Sequence, residues 1–448
     1  MPPFLGRCVT HGCTVAGEAP SYYGRMSPPP PEAPAVHPSA AIGRDYNPFD
    51  SAFQANPYAF YARARREAPV AWCPQFNTWL VTSQELITHA LKSPTLFSSL
   101  HNLDNPMVLP AEIEAVLATA GHYPLAPGLF NNDPPGHTRV RALFSKAFTA
   151  QRIAEMETGI RKLTEGLVEK FARQGHVDLV PALAHPLPMT VIADLLGVPR
   201  ADMSRVKQWH DSWVSLYNPQ LTLEQQHVAA RSCVEYQRYY ADLLAERAAH
   251  PTGDLTTALV QARMEGERPF TTGEMISQRV ILLSAGHETT TSLISSLLYN
   301  LLRHPEQWQA VREDPSLIEA AIEETVRFTS PVQMEPRVVT ETTELGGVKL
   351  PQGARVSIVY GSGNHDERAF EDPATFNIHR PHVGRHVGFG WGIHYCIGAP
   401  LARLEARVAL EVLRDRLPHL RLAPGFQPEY EPSFYFRALK RLDLVWGD

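Results

Sequence analysis

The chain has few cysteines, no long hydrophobic run and no excess of basic residues. Its five cysteines are scattered and odd in number, which fits a reducing, cytoplasmic setting better than a disulfide framework. No run of about 18 or more apolar residues occurs, so the sequence predicts no membrane-spanning segment, and the first residues lack the apolar core of a secretory signal. The net charge of −6 does not indicate a nucleic-acid-binding protein, which would ordinarily be basic. The sequence therefore predicts an ordinary soluble globular protein.

The length of 448 residues is compatible with several domains or with one large core. Residues 1–42 are rich in Pro, Ala, Ser and Gly without periodicity, which predicts a disordered leader, and we expect residues 43–448 to form a single domain. Within the leader, Cys8, His11 and Cys13 could in principle grip a metal ion. Three ligands in a flexible tail are more often a coincidence, which is the interpretation we favour.

Hydrophobic periodicity and capping residues predict a mainly α fold with a smaller β-rich region. Residues 100–130 lack a clear pattern and are expected to form a long irregular segment, of the kind that is usually functional. The predicted helices cover 58–66, 222–249 after a cap at Thr222, 272–303 after a capping box of Thr271 and Glu274, 317–328, and a segment after Cys396. The predicted strands cover 70–72, 78–82, a hairpin within 345–353, and the tail at 430–437 and 442–446.

A glycine-rich stretch ahead of a single cysteine is the strongest functional signal in the chain. Gly388, Gly390 and Gly392 alternate with bulky residues ahead of Cys396, and a helix with Pro400 in its first turn follows. Glycines allow this loop to fold tightly, and a helix N-terminus favours a thiolate over a thiol. A lone thiolate suits one axial bond to iron, whereas tetrahedral zinc needs about four ligands. The alternatives are a buried structural cysteine in a glycine-rich turn, or a weak phosphate loop.

The same stretch resembles the haem-ligand signature of the cytochrome P450 superfamily at every fixed position. The matching residues are Phe389, Gly390, Gly392, His394, Cys396 and Gly398. The resemblance covers residues 45–446 and implies a triangular prism of helices around haem b (iron protoporphyrin IX), with Cys396 as the metal ligand. It also implies that electron donation from the thiolate assists cleavage of the oxygen–oxygen bond.

A second motif lies in the middle of the long helix 272–303. Ala285, Gly286, Glu288 and Thr289 resemble the oxygen-activation motif of the family. Glycine is locally poor for a helix, costing about 1 kcal/mol relative to Ala, so stability alone does not explain it. The resemblance implies that Ala285 and Gly286 leave room beside the haem, while Glu288 and Thr289 handle protons. The alternative is a kinked core helix with a polar patch.

Two further elements resemble haem-propionate contacts of the family. His137 and Arg141 are four residues apart and project from one helix face, which by itself is compatible with a solvated surface. The resemblance implies instead that they meet the propionates, together with Arg337 and His394. Opposite charges at such a site are needed because an unpaired buried charge is expensive.

Glu324 and Arg327 are three residues apart on a predicted helix, where such a pair is ordinarily a weak surface ion pair. The sequence resembles the Glu-x-x-Arg motif of the family, which implies a buried pair completed by Arg380. Such a trio is structural, serving haem incorporation with no part in the chemistry.

The sequence identifies the substrate pocket less clearly than the cofactor site. Mostly apolar candidates predict a hydrophobic small-molecule substrate, and they are Leu282, Ala285, Val332, Met334, Phe434 and Tyr435.

The resemblance implies a monooxygenase that uses O2 and two electrons from NAD(P)H, and we expect a monomer. The chain carries no flavin, nicotinamide or iron–sulfur signature, which favours a separate ferredoxin and ferredoxin reductase. Residues 364–368 and 416–420 also resemble, more weakly, the haem domains of self-sufficient members, so a detached reductase domain is the alternative. A peroxygenase driven by H2O2 and a non-catalytic haem sensor are the competing functions. Glu288 and Thr289 argue against the first, and the Ala285–Thr289 segment and the lack of an output domain argue against the second.

Overall fold

The computed structural model describes residues 37–100, 102, 109–216, 221–417 and 419–447. Most of the predicted leader, including Cys8, His11 and Cys13, lies outside these residues. Ala40–Gly43 form a short helix, and the Trp72 backbone N–H donates to the Ser39 hydroxyl at 3.0 Å. Ala40 is buried. The folded part therefore includes residues before 43, because they pack on the strand that contains Trp72.

Helices account for most of the described chain. They are α1 (Ala40–Gly43), α2 (Ser51–Ala55), α3 (Tyr58–Glu67), α4 (Gln84–Lys92), α5 (Ala111–Ala118), α6 (Gly136–Ala147), α7 (Ala150–Glu155), α8 (Glu157–Glu169), α9 (Pro186–Leu195), α10 (Met203–Ser215), α11 (Leu223–Ala249), α12 (Leu255–Gln261), α13 (Thr272–Arg303), α14 (Pro305–Glu313), α15 (Ile318–Thr329), α16 (Tyr360–Gly363) and α17 (Ala399–Arg416). The predicted mainly α class is confirmed.

The strands are short. They are β1 (Val70–Cys73), β2 (Thr78–Val81), β3 (Phe97–Ser98), β4 (His176–Asp178), β5 (Glu335–Val339), β6 (Thr343–Leu345), β7 (Val348–Leu350), β8 (Arg355–Ile358), β9 (Arg421–Leu422) and β10 (Asp443–Val445). One sheet has the order β1-β2-β8-β5-β3, with the predicted β1–β2 pair antiparallel and β2–β8 parallel. The predicted hairpin is β6–β7, in which Gly346 and Gly347 both adopt positive φ, as a two-residue type I′ turn requires.

Helix α13 is the centre of the helical part. Its 32 residues begin at the predicted capping box, where the Thr271 hydroxyl accepts from the Glu274 N–H and the Glu274 carboxylate accepts from the Thr271 N–H. At 1.5 Å per residue it is roughly 48 Å long. It packs against α9, α15 and α17, and a Cβ added to Gly286 would lie 3.0 Å from the Ile192 side chain of α9. The glycine in mid-helix is therefore explained by the close approach of α9.

Two local predictions are wrong. The segment 100–130, expected to be irregular, contains α5, whose Ile113 and Leu117 are buried four residues apart on one face. The tail at 430–437, expected to form strands, is joined to the rest by single bridges from Tyr430 to Leu439 and from Phe436 to Val332. Among the described residues, no helix is both long and apolar enough to cross a bilayer.

A buried histidine, His365, makes the fold sensitive to acid. His365 packs against the rings of Tyr58 and Phe328 at centroid distances of 4.0 and 5.4 Å, and its Nε2–H donates to the Phe328 carbonyl at 2.9 Å. Burial, assisted by the charge of Arg327, lowers its pKa from 6.5 to about 3. The folded protein therefore keeps this ring neutral at pH values at which the unfolded chain binds a proton.

We expect the free energy of unfolding to be insensitive to His365 above pH 6.5 and to fall as the pH drops from 6.5 toward 3. The slope from one such group is about 1.4 kcal/mol per pH unit. Urea unfolding between pH 7 and 4.5 should show this slope reduced in His365→Phe, whatever its absolute stability. His379→Gln, an exposed control, should keep the slope of the unaltered chain. Equal slopes in all three proteins would contradict the assignment.

Candidate functional site

The loop before α17 wraps its backbone around Cys396. The Cys396 N–H donates to the Phe389 carbonyl, and the Gly390 N–H donates to the Val387 carbonyl, both at 2.9 Å. Gly390 and Gly392 have φ of +71° and +70°, which side chains rarely adopt. A Cβ on Gly392 would also lie 2.8 Å from the Leu91 carbonyl oxygen. The glycines are therefore required by the tight turn that presents the cysteine.

The thiol environment differs from the sequence-based expectation. Burial raises the pKa of Cys396, while the N–H groups of Gly398 and Ala399 and the charge of Arg141 act in the opposite direction. The carboxylate of Glu335 adds to the increase. For the thiol without a bound metal, desolvation therefore outweighs the helix N-terminus, and the thiolate at Cys396 stays a prediction for the metal-bound residue. The residue nevertheless keeps exposed surface, and coordination of a metal ion deprotonates a thiol.

The middle of α13 has exposed small residues in an otherwise buried helix. Ala285 is exposed, and Gly286 and Thr289 are partly exposed. The Thr289 hydroxyl donates to the Ala285 carbonyl at 2.6 Å. With its proton directed along the helix, the hydroxyl oxygen presents lone pairs that can accept a hydrogen bond.

Glu288 is a partly buried acid next to Thr289. Burial raises the pKa of its carboxyl, the nearby Asp211 of α10 raises it further, and Lys207 of α10 opposes the change. A carboxyl whose pKa lies closer to neutrality can both accept and release a proton during turnover. Asp211 and Lys207 were not predicted from the sequence, since they stand about 80 residues away in an amphipathic helix without a motif.

Four basic side chains from three parts of the chain come together beside the cysteine loop. The rings of His137 (α6) and His394 have centroids 4.2 Å apart, and the Arg141 guanidinium donates to the Tyr395 carbonyl at 2.8 Å. Arg337 of β5 is buried and close enough to lower the pKa of His394. The structure thus brings together all of the residues proposed to face the propionates.

Arg337 pairs with Glu335 at 3.3 Å, whereas the two histidine rings have unused hydrogen-bonding atoms. Burial and then Arg141 lower the pKa of His137 to about 4, and burial, Arg337 and His137 lower that of His394 to about 3. The Nε2 atoms of both rings are buried and find no hydrogen-bond partner among the described residues. Buried polar atoms in native proteins are nearly always paired. A group that carries two carboxylates, as haem b does, fits this cluster and the thiol beside it.

Two networks around the loop were missed by sequence reasoning. Glu335 accepts from the Tyr360 hydroxyl at 2.9 Å and from Arg337 at 3.3 Å. On the other side, Glu323 accepts from Arg403 at 2.6 Å and pairs with His386 at 3.1 Å. Although burial alone would raise it, these partners hold the pKa of Glu323 at about 2. The one available signal was the position of Arg403 on α17, two turns after Cys396.

The Glu324–Arg327 pair of α15 is fully buried, at 2.7 Å, and Arg380 approaches the same carboxylate at 3.1 Å. The surroundings are backbone carbonyls of residues 364–375. Glu324 and Arg327 have no exposed surface through which they could contact a ligand. The position of the trio therefore indicates a structural role.

The predicted pocket residues separate into two groups. Leu282 and Val332 are partly exposed and Tyr435 is exposed, which is compatible with lining a pocket. Met334 has no exposed surface and lies 3.9 Å from the Tyr46 hydroxyl, and Phe434 packs at 5.0 Å against Phe76. The position of Met334 argues against its predicted role, because it fills the aromatic cluster behind the sheet.

Comparison with known proteins assigns the family and the fold. The Cytochrome P450 family model matches residues 77–416. Cytochrome P450 107B1 of Saccharopolyspora erythraea is 39% identical over 409 residues, covering 89% of this chain and 97% of that protein. Cytochrome P450 monooxygenase PikC of Streptomyces venezuelae is 36% identical over 422 residues, covering 92% and 95%.

The backbone of a solved structure is also similar to that of this chain. The crystal structure of an intact type IV self-sufficient cytochrome P450 monooxygenase has a TM-score of 0.84 and 33% identity, and the match covers 92% of this chain and 53% of that one. At this identity and coverage, the predicted fold class is confirmed. The chain belongs to the cytochrome P450 family and is a haem b-dependent monooxygenase.

Proposed function

We propose that this enzyme inserts one atom of O2 into a hydrophobic small organic molecule, by hydroxylation or by O- or N-dealkylation. The observation that carries the proposal is the exposed residue Cys396 beside four basic side chains, of which His137 and His394 each have a buried ring nitrogen without a partner among the described residues. Partly exposed apolar side chains, Leu282 and Val332 among them, support an apolar substrate, because such pockets bind chiefly through hydrophobic contact.

In this proposal Cys396 holds the iron, and His137, Arg141, Arg337 and His394 hold the two propionates. Bound haem supplies the oxygen chemistry. The protein residues orient the cofactor. Arg141 and Arg337 would pair with the propionates and the rings of His137 and His394 would donate hydrogen bonds to them, which offsets the cost of removing the propionates from water. The exposed small side chain of Ala285 leaves space next to the cofactor, whereas Gly286 allows the close approach of Ile192 on α9.

We assign proton handling to Glu288 and Thr289. The Thr289 hydroxyl, whose own proton is held by the Ala285 carbonyl at 2.6 Å, accepts a hydrogen bond from a water molecule and positions it in the site. Burial raises the pKa of Glu288, which favours the protonated carboxyl and suits it to proton transfer. Both residues act on protons and neither forms a covalent bond with substrate.

Replacing Thr289 by alanine should uncouple NAD(P)H consumption from product formation. One neutral hydrogen bond is worth about 1 kcal/mol, so product per NAD(P)H should fall several-fold while H2O2 release rises. Substrate binding, read from the substrate-induced spin-state change, should be unaffected. Thr289→Ser, which keeps the hydroxyl, is the matched control. Unchanged coupling in Thr289→Ala would remove this residue from the mechanism.

We further propose that the folded part of the chain acts as a monomeric cytoplasmic haem domain that receives electrons from a ferredoxin and its reductase. The bacterial relatives and the unpaired thiols of Cys73, Cys233 and Cys396 support a reducing compartment. The similarity to a self-sufficient enzyme, of which this chain spans 53%, keeps a detached reductase domain as the alternative donor.

The function is tested by reconstitution. The holoenzyme should be screened with a panel of apolar compounds for the spin-state change, and each responding compound incubated with NADPH, O2, ferredoxin and ferredoxin reductase. We expect an oxygenated product that incorporates one atom from labelled O2. Product formed with H2O2 but never with the electron-transfer proteins would favour the peroxygenase instead.

A further inference from the structure

Three histidines meet where α9, α10 and α13 pack together, apart from the cysteine loop. His185 immediately precedes α9, and its ring contacts that of His287 on α13 with centroids 4.2 Å apart and planes at 87°. His210 of α10 is near enough for its charge to lower the pKa of His287. His287 and His210 are 6% and 5% exposed, whereas His185 is only partly buried.

The buried rings of this cluster have unused hydrogen-bonding atoms. His287 Nε2 and both ring nitrogens of His210 are buried and have no partner among the described residues. Buried polar atoms without protein partners indicate internal water, which typically forms about three hydrogen bonds. A metal ion is the other candidate occupant, but no group of three or more acidic, histidine or cysteine ligands suited to one occurs in the part of the chain that the structure describes. The cluster is therefore best explained as a hydrated site.

Charged groups border this site on two sides. Lys207 and Asp211 form an ion pair at 2.7 Å on α10, with 38% and 58% of their side-chain surfaces exposed. Glu288 follows His287 directly on α13, and the charges of both Lys207 and Asp211 act on its carboxyl. Lys207 also lowers the pKa of His185, His210 and His287. The three rings, the ion pair and Glu288 thus share one small region.

We propose that His185, His287 and His210 line a hydrated relay that delivers protons from the exterior to the carboxyl of Glu288. The relay rests on the proposed role of Glu288 in the monooxygenase reaction and adds the route by which that carboxyl is refilled. Protons enter at the partly exposed His185, pass through His287 and internal water, and end on a Glu288 carboxylate oxygen. His210 closes the hydrated site on the side of α10.

Each transfer conserves protons without any redox change. A neutral imidazole has one N–H donor and one acceptor nitrogen, so a proton arriving at one nitrogen is matched by release of a proton from the other. Burial, reinforced by neighbouring positive charge, lowers the pKa of His287 to about 3, and burial lowers that of His210 to about 4. The rings therefore stay neutral at pH 7 and pass protons on without storing them.

The relay is tested in the ferric holoenzyme without substrate. The carboxylic C=O stretch of protonated Glu288 is located by infrared spectroscopy over a pH range and assigned by its loss in Glu288→Gln. After rapid mixing into D2O, the shift of this band gives the rate at which the carboxyl exchanges its proton. We expect His287→Phe to slow exchange by about 100-fold, the lower end of the contribution of a positioned proton-transfer group. His185→Phe, at a less buried position, should slow it in the same direction.

Thr291→Val is the control, because Thr291 lies one turn further along α13 with a buried hydroxyl that has no partner among the described residues. Its exchange rate should equal that of the unaltered enzyme. Equal rates in His287→Phe, His185→Phe and Thr291→Val would overturn the relay, as would a Glu288 carboxyl that shows no protonated band at any pH at which the enzyme is folded. Failure of the proposed function is separate, since it would appear as a ferrous–CO spectrum without thiolate character.

Discussion

Replacing Cys396 by alanine should abolish the thiolate signature of the ferrous–CO spectrum and reduce product formation to background. Ordinary enzymes accelerate their reactions by about 10⁶-fold or more, so losing the iron ligand should cost at least about 10³-fold in turnover. The effect is direct because the remaining side chains around the sulfur, Arg141 and Glu335, are not soft ligands that could take its place. Spectra of the reduced, CO-treated protein and product analysis provide the measurements.

Cys233→Ala is the matched control for this experiment. Cys233 lies on α11 and is fully buried in the hydrophobic core, where burial raises the pKa of its thiol. Buried structural cysteines of this kind are inert. The variant should retain the thiolate band and turnover. Cys396→His should convert any retained haem to a histidine-type spectrum. A thiolate band in Cys396→Ala, or a histidine-type band in the unaltered enzyme, would contradict the ligand assignment.

The parts of the fold that could be predicted are those encoded within a few residues of each other. The capping pair Thr271 and Glu274 fixes the start of α13, and Gly346–Gly347 fix the turn of the β6–β7 hairpin. Helix α5 was missed because prolines and glycines on either side obscured a pattern of only eight residues. Strands are predicted for the tail at 430–437 because its composition is typical of β-strands. Its actual partners, however, are set by packing against distant parts of the chain.

The candidate site divides in the same way. Sequence spacing placed His137 and Arg141 on one face of α6, and the family resemblance supplied Arg337 and His394. What spacing could not predict is the balance between burial and the helix N-terminus at Cys396, where desolvation prevails. It also could not reveal the contact between His185 and His287, since 102 positions separate them in the chain and neither belongs to a short motif. Such effects depend on long-range packing, which single-sequence patterns do not contain.

Removing the Glu324 carboxylate should produce the largest loss of stability among the changes considered. Glu324 and Arg327 are 0% exposed and Arg380 is 9% exposed, and the single carboxylate is shared by both guanidinium groups at 2.7 and 3.1 Å. Breaking a buried pair by removing one partner costs about 3–5 kcal/mol, because a buried charge is left unpaired. The free energy of unfolding of a native protein is only about 5–15 kcal/mol in total. Glu324→Gln should therefore lose a large part of its unfolding free energy.

An exposed pair is the control for this effect. Arg173 and Glu169 lie four residues apart at 3.6 Å, with 91% and 58% of their side-chain surfaces exposed, and such pairs contribute between about 0 and 1 kcal/mol. Urea unfolding should thus distinguish Glu324→Gln from Glu169→Gln by several kcal/mol. If both variants unfold at the same urea concentration, the buried trio does not stabilise the fold.

The same substitution should also loosen the haem, although no member of the trio reaches the cysteine loop. Arg327 donates to the Asn364 carbonyl at 2.9 Å, and the Asn364 side-chain oxygen accepts from the Val387 N–H at 2.7 Å. The Val387 carbonyl in turn accepts from Gly390, at the start of the turn that presents Cys396. Because each step is a hydrogen bond to a buried backbone group, displacement of Arg327 should pass to the loop. At pH 7 and without urea, haem should transfer to an excess of apomyoglobin faster from Glu324→Gln than from the unaltered enzyme. A destabilised variant that releases haem at the original rate would restrict the trio to anchoring α15.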